Sequence, residues 1–185
     1  KAQIDAAPML DELARRTRPA VFLFSDYMWS IEHNLVLSAA VKDLHPHGLT
    51  VHGGPHAPKY EGDAEAFFAD NPHVDVLVRG EGEVTVAALL AALGGDLDPA
   101  QREALLSEVE GITFRVPTDA GYRLVRTDER ARHADMADFP SPYLLGEFDH
   151  IDIDRWRSAT VESNRGCPYG CTYCDWGSAT LSRIR

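Results

Sequence analysis

The sequence predicts an α/β fold built on a doubly wound parallel sheet, and two observations predict it. Short apolar runs rich in β-branched and aromatic residues alternate with longer stretches of helical periodicity, and the first three of those runs each end in a small-residue or polar turn.

The elements follow in order. Residues 5–17 (DAAPMLDELARRT) have amphipathic spacing and predict a helix, which Pro19 stops. Residues 20–24 (AVFLF) then read as a buried strand. Ser30 is placed to cap a helix over residues 31–44, whose apolar Leu35, Val36, Ala39 and Ala40 recur at helical spacing. A strand over residues 49–52 (LTVH) leads into Gly53-Gly54-Pro55. Residues 61–70 read as a helix, residues 74–78 (VDVLV) as a strand ending in Arg79-Gly80-Glu81-Gly82-Glu83, and residues 84–93 as a further helix.

In such sheets ligands bind beyond the carboxyl ends of the strands, where the strand order reverses. The three strand ends here are Ser25, Gly53-Gly54 and Gly80-Glu81-Gly82. Small residues at all three predict a broad, shallow floor on which a large ligand can approach backbone N–H groups. A tight turn explains any single glycine equally well. Their coincidence at one edge favours a site.

Downstream, residues 99–109 predict a short helix, and residues 111–115 with 122–126 predict a hairpin around Pro117-Thr118-Asp119-Ala120-Gly121. Residues 130–138 are polar and charged, a solvated linker. Phe139-Pro140-Ser141-Pro142-Tyr143 is expected to be a rigid extended lead into a strand over residues 158–163, with a loop from Asn164 onward. The expected organisation is a first domain over residues 1–96, a linker with a short helix and hairpin over 97–150, and the start of another domain over 151–185.

Composition narrows the function. At 185 residues, 44% hydrophobic and 25% charged, the chain suffices for one ordinary domain and a piece of another. No apolar run approaches the ~20 residues that cross a bilayer, so no membrane partner is expected. Eighteen basic against 29 acidic residues give a net charge of −11, which argues against a phosphate-backbone footprint and hence against nucleic acid. The expected location is the cytoplasm, since all three cysteines fall in one motif and none is left for a disulfide.

That motif is Cys167-Pro168-Tyr169-Gly170-Cys171-Thr172-Tyr173-Cys174. Three thiolates at C-x3-C-x2-C spacing on one loop can hold an iron–sulfur cube by three corners, leaving the fourth iron without a protein ligand. Gly166 and Gly170 allow the tight turn that convergence requires, and Pro168 stiffens it. Zinc is the competing reading. It needs a fourth ligand, and residues 175–185 contain no histidine, so an upstream histidine would have to complete it.

With Tyr173 just before the last cysteine, these residues resemble the radical SAM superfamily. The resemblance implies that Cys167, Cys171 and Cys174 ligate a [4Fe–4S] cluster whose open iron chelates S-adenosylmethionine beside Tyr173, and that an electron from the cluster generates a 5′-deoxyadenosyl radical. Ser25-Asp26-Tyr27-Met28-Trp29, Gly53-Gly54-Pro55-His56 and Arg79-Gly80-Glu81-Gly82-Glu83 resemble, in order and spacing, the cobalamin-binding domain ahead of the barrel in B12-dependent members of that superfamily. The fold so implied is flavodoxin/Rossmann-like, followed by the first strand and cluster loop of a radical SAM partial TIM barrel. By the same resemblance Ser25, Gly53, Gly54, Gly80, Glu81 and Gly82 are the candidate cobalamin contacts. Trp29 is placed near the corrin, with a core tryptophan as the alternative. The resemblance covers residues 5–95 and 139–185, and the chain is expected to be an internal piece that lacks the family's first strand and most of its barrel.

Asp43-Leu44-His45-Pro46-His47-Gly48 also fits the D-x-H-x-x-G pattern by which other cobalamin proteins supply an axial histidine. It falls between a helix end and a strand start, at the opposite edge from the ligand crevice, and the match is read as chance. His45, His47, His52 and His56 are read as turn and strand-end residues. Arg165, Asp175 and Trp176 flank the cluster loop and are read as packing or loop structure, with shaping of the substrate or adenosine pocket as the alternative.

The resemblance implies an enzyme that uses cobalamin and S-adenosylmethionine to methylate an unactivated carbon of a small-molecule or peptide substrate, with an electron donor of the flavodoxin or ferredoxin type. Cyclisation, oxidation or rearrangement by the same cofactors is the alternative. A methylthiotransferase acting on tRNA is a weaker match, because residues 1–166 contain no cysteine for a second cluster. A corrin or redox sensor with a structural metal site is the non-enzymatic alternative.

Overall fold

Val21–Ser25 (β1), Leu49–Gly53 (β2), Val76–Val78 (β3), Ile112–Thr118 (β4) and Gly121–Arg126 (β5) form one sheet in the order β1-β2-β3-β4-β5. They belong to a computed structural model that describes residues 7–15, 20–95, 98–133 and 135–151, together with Val161, Arg165 and Tyr173. Five helices, α1 (Ala7–Ala14), α2 (Ile31–Leu44), α3 (Glu61–Asp70), α4 (Gly82–Leu93) and α5 (Pro99–Ser107), complete the first of two compact units, Lys1–Ala131; the second is Arg132–Arg185.

β1, β2 and β3 run parallel, with Val21 opposite Leu49, Ser25 opposite Gly53 and His52 opposite Leu77. The crossovers through α2 and α3 are those expected from the alternating pattern. The sheet as a whole, however, is mixed rather than parallel. β4 pairs antiparallel with β3, Val76 opposite Phe114, and β5 returns antiparallel along β4. The hairpin expected in the connecting stretch is therefore part of the sheet. The reason is burial: Ile112, Phe114 and Val116 alternate into the main core, so the hairpin loses its apolar face to water unless it docks on β3. Among the described strands the order is sequential, without the expected reversal.

Strand alternation assigns the two faces. Leu49, Val51, Val76, Val78, Ile112 and Phe114 pack with Leu89 and Leu93 of α4 and Leu106 of α5. Leu77 faces the other way, with Val74 and with Ala64 and Phe68 of α3. Fully burying each of these larger side chains contributes about 1.5–3 kcal/mol. Helices thus cover both faces, which is what a doubly wound sheet requires.

Helix ends follow from local chemistry. Asp98 caps α5 by accepting the Ala100 N–H at 3.0 Å, with Pro99 at the first helical position. α3 ends on Arg115 of β4, whose guanidinium donates to the carbonyls of Phe68 (2.5 Å), Asn71 (3.3 Å) and Val74 (3.2 Å) and lies 3.9 Å from the centre of the Tyr122 ring. Ser30 stands at the start of α2, but its hydroxyl is used differently from the expected cap. It accepts the Tyr27 N–H (3.0 Å) and donates to the Ser25 carbonyl (3.1 Å), tying the end of β1 to the helix.

In the second unit, Met136–Asp138 form a 3-10 turn. The expected extended lead is instead a run of turns, because Pro142 sits at the second position of a turn closed by the Leu144 N–H donating to the Ser141 carbonyl at 3.0 Å. Glu147 N–H to Pro142 and Asp149 N–H to Gly146 continue the run. Of the expected strand over 158–163, only Val161 lies among the described residues, without regular secondary structure.

Candidate functional site

The parallel strands bring Ser25, Gly53 and Arg79 to one edge, and the loops that follow build a floor there. Ser25 and Gly53 are register partners. Gly53 lies so close to β3 that a Cβ on it would stand 3.2 Å from the Val78 Cβ. Gly54 has φ +103°, and a Cβ there would come within 3.0 Å of both the amide nitrogen and the carbonyl oxygen of Asp26, and 3.4 Å from Ser25 Oγ. Two strand-end loops touch at this point, and only glycine lets them.

Gly80 turns the chain out of β3 with φ +72°, and Gly82 opens α4 behind the N-cap residue Glu81. Nothing lies within 4 Å of a Cβ built on Gly80 or Gly82, so the surface above them is open. Ser25, Gly54 and Gly80 are exposed, and Gly53, Glu81 and Gly82 partly so. The sequence-predicted floor residues are thus brought to a single edge.

Trp29 lies on the loop that leaves β1. It is 71% exposed, which removes the core-tryptophan alternative, and its ring stacks on Tyr27 with centroids 4.7 Å apart and planes at 15°. Met28 beside it is 76% exposed. An aromatic step therefore stands next to the glycine floor.

Sequence reasoning missed what lies beneath. Asp26 and His52 are fully buried, with His52 Nδ1 2.9 Å from Asp26 Oδ2. The other carboxylate oxygen accepts from Asn34 Nδ2 at 2.8 Å, and that amide also donates to the Ser25 carbonyl at 2.9 Å. The Asp26 N–H donates to the Gly53 carbonyl at 2.6 Å and its carbonyl accepts the His56 N–H at 2.9 Å. The His52 ring stacks on Phe24 at 4.6 Å with Phe67 edge-on at 6.3 Å, and its Nε2 is buried with no hydrogen-bond partner among the described residues. The signal for this pair was a polar stripe, Thr50 and His52, on one face of an otherwise apolar strand.

The polar layer continues along that face. Asp75 Oδ2 accepts from Thr50 N–H (2.8 Å) and from Lys42 Nζ (2.7 Å). The nearby His73 has its pKa lowered from the ordinary value, first by burial and then by its neighbours His52 and Arg115, with Asp75 opposing. Arg79 is also buried: its guanidinium donates to Thr113 Oγ1 (2.8 Å) and the Thr127 carbonyl (2.6 Å) and pairs with Glu129 at 3.1 Å. Burial lowers its pKa and Glu129 works against that shift. Arg79 holds the end of β3 rather than presenting a charge to a ligand.

Cys167, Cys171 and Cys174 lie outside the described residues, as do Asp175 and Trp176. Tyr173 is described and is 90% exposed, and the Arg165 guanidinium stands 5.8 Å from the centre of the Phe139 ring. Among the described residues no group of three or more His, Cys, Asp and Glu is arranged to hold a metal ion. Nor is any described helix long and apolar enough to cross a membrane.

His45 of the D-x-H-x-x-G match ends α2 just before β2, at the amino edge of the sheet. It stacks on Phe22 at 5.4 Å, with Nε2 2.8 Å from the Leu13 carbonyl. That is the edge away from the floor.

No family model matches the chain. Its curated relatives are more telling. It is 42% identical, over 91% of its own length and 24% of the relative's, to the 2-(S-pantetheinyl)-carbapenam-3-carboxylate methyltransferase of Streptantibioticus cattleyicolor. It is 38% identical, over 97% of its length and 25% of the relative's, to the cobalamin-dependent radical SAM methyltransferase TokK of Streptomyces tokunonensis. The anaerobic magnesium-protoporphyrin IX monomethyl ester cyclase of a Synechocystis strain is 28% identical over 75% of the chain and 25% of the relative. The chain spans about a quarter of the length of these relatives. With 38–42% identity to these two methyltransferases over more than nine-tenths of its length, the chain belongs to the B12-binding radical SAM proteins.

Proposed function

We propose that this chain is the corrin-binding and cluster-loop portion of an enzyme that methylates an unactivated carbon using cobalamin and S-adenosylmethionine. The carrying observation is the 38–42% identity, across nearly the whole chain, to two methyltransferases, one of them named as cobalamin-dependent and radical SAM. The cofactors supply the hard chemistry: the cluster and S-adenosylmethionine provide the 5′-deoxyadenosyl radical, and cobalamin carries the methyl group.

The chain's own residues bind and orient. Ser25 Oγ and the backbone around Gly53, Gly54, Gly80, Glu81 and Gly82 offer hydrogen-bonding groups along an exposed edge, where a nucleotide tail and a corrin rim would be held. Gly53 and Gly54 let the strand-end loops close against each other beneath the edge, and nothing lies within 4 Å of a Cβ built on Gly80 or Gly82, which leaves that part of the edge open to a large group. The Tyr27–Trp29 stack supplies an apolar step against which a macrocycle can rest. Cys167, Cys171 and Cys174 would hold the [4Fe–4S] cluster by three thiolates, and Tyr173, within the same sequence motif, would border S-adenosylmethionine. A reducing cytoplasm suits such thiolates, and a flavodoxin or ferredoxin is the fitting electron donor.

The name of the relative from Streptantibioticus cattleyicolor makes a pantetheinyl carbapenam carboxylate the first substrate to assay. The whole protein, prepared anaerobically, should contain a [4Fe–4S] cluster by Mössbauer spectroscopy, take up corrin, and convert that class of substrate to a methylated product by mass spectrometry. Stoichiometric zinc in place of iron overturns the reading. Cleavage of S-adenosylmethionine with a substrate product of unmethylated mass overturns the methyl-transfer half and favours the ring-forming chemistry named for the Synechocystis relative.

A further inference from the structure

We propose that Asp26 and His52 are a positioning pair that clasps the β1 and β2 strand-end loops into one preformed floor; the assignment rests on the cobalamin reading above for the ligand and on this structure's own geometry for the clasp. One carboxylate ties its own loop to two other segments, β2 and α2. Its Oδ2 meets His52 of β2 at 2.9 Å and its Oδ1 meets Asn34 of α2 at 2.8 Å, while the main chain of Asp26 itself bonds to Gly53 and His56 on either side of the Gly54 turn. The residues that follow, Tyr27 to Ser30, carry the aromatic step. Asn34, His52, Gly53 and His56 are therefore each one hydrogen bond from Asp26.

Stability alone gives no reason for the pair. A buried polar pair gains little over an apolar pair of the same volume. This one also leaves His52 Nε2 buried without a partner among the described residues, which is a desolvation cost. What a fully buried, doubly bonded carboxylate does confer is direction. With Nδ1–H donated to Asp26, the imidazole is held flat against Phe24 with Phe67 edge-on, and the loop is fixed to the strand in a single register. Preorganising a floor lowers the ordering cost of binding a large ligand.

The test uses the whole protein and two variants, Asp26→Ala and the double apolar replacement Asp26→Leu with His52→Phe. Amide hydrogen exchange should accelerate by about tenfold or more, the loss of a buried hydrogen bond to a charged group, in residues 26–34 and 53–57 of both variants. In the double variant the core strands at 76–78 and 112–116 should exchange at the wild-type rate. Hydroxocobalamin affinity should fall by about tenfold, and the visible circular dichroism of the corrin at saturation should change, which a mere fall in the folded fraction would not produce. Wild-type exchange in both loops overturns the clasp, as does acceleration spread evenly over the sheet. If both variants show the expected acceleration but the wild-type protein takes up no hydroxocobalamin, the clasp stands and the cobalamin reading is overturned instead.

Discussion

Gly54→Ala is the sharpest probe of how the floor is built. At φ +103° an alanine occupies a region that L-residues rarely adopt, at a cost of about 1–3 kcal/mol. Its Cβ would also stand 3.0 Å from the nitrogen and oxygen of Asp26, which are backbone atoms held by bonds to Gly53 and His56. Forcing those apart adds about 1–3 kcal/mol, as overpacking does elsewhere. The expected total is about 2–6 kcal/mol, a large share of the ~5–15 kcal/mol that holds a domain together. Gly80→Ala is the internal control. Its φ of +72° carries backbone strain of about 1–2 kcal/mol, but nothing lies within 4 Å of the new methyl. Gly82→Ala, in α4 with open space around it, should be neutral or stabilising by up to about 1 kcal/mol. Urea-dependent hydrogen exchange, followed in peptides over 21–30 and 49–57, ranks the three. If Gly54→Ala costs no more than Gly80→Ala, the two loops do not meet as described and the argument for a glycine-dependent floor fails.

Further predictions rest on the polar layer and the sheet. Asp75→Ala strips one carboxylate oxygen from Thr50 and Lys42 together and should cost about 2–3 kcal/mol by urea denaturation; an effect below ~0.5 kcal/mol would show the contacts to be loose. Arg79→Lys keeps a charge but loses the fork to Thr113 and Thr127, so exchange should accelerate at residues 127–130 while β1 is unaffected. His73 has a folded pKa below its unfolded value near 6.5, so the unfolded chain takes up the proton first. The stability His73 contributes is complete above that value and declines as pH falls below it. Replacing His73 with Gln should therefore flatten the loss of stability between about pH 7 and 5, and an unchanged slope refutes the assignment. Trp29→Ala should leave urea stability nearly unchanged, because the side chain is largely exposed, yet weaken corrin uptake; equal uptake removes Trp29 from the site.

The parallel half of the fold was legible because its signals are local. Glu61–Asp70 matches the helix read from periodicity residue for residue, and Ile31–Leu44 does the same. The hairpin's position was legible too, but its partner was not. Alternation at Ile112, Phe114 and Val116 states that one face is buried without naming the strand beside it. The turns over 141–149 were missed because Ser-Pro was read for stiffness, when proline at the second position of a turn serves equally to bend the chain.

At the site, the floor was legible and its support was not, and the difference is physical. A glycine at a strand end announces itself, since few other roles need one at two successive strand ends. A buried carboxylate cannot be read from its neighbours, because its burial depends on a histidine 26 positions away and an asparagine eight away finding it in three dimensions. In an isolated sequence Asp26 is one more polar residue after a strand, and His52 one more histidine beside a glycine pair. Only the pairing turns both into a single load shared by β1, β2 and α2, and the two variants that break it separate the geometry of the loops from the strength of the core.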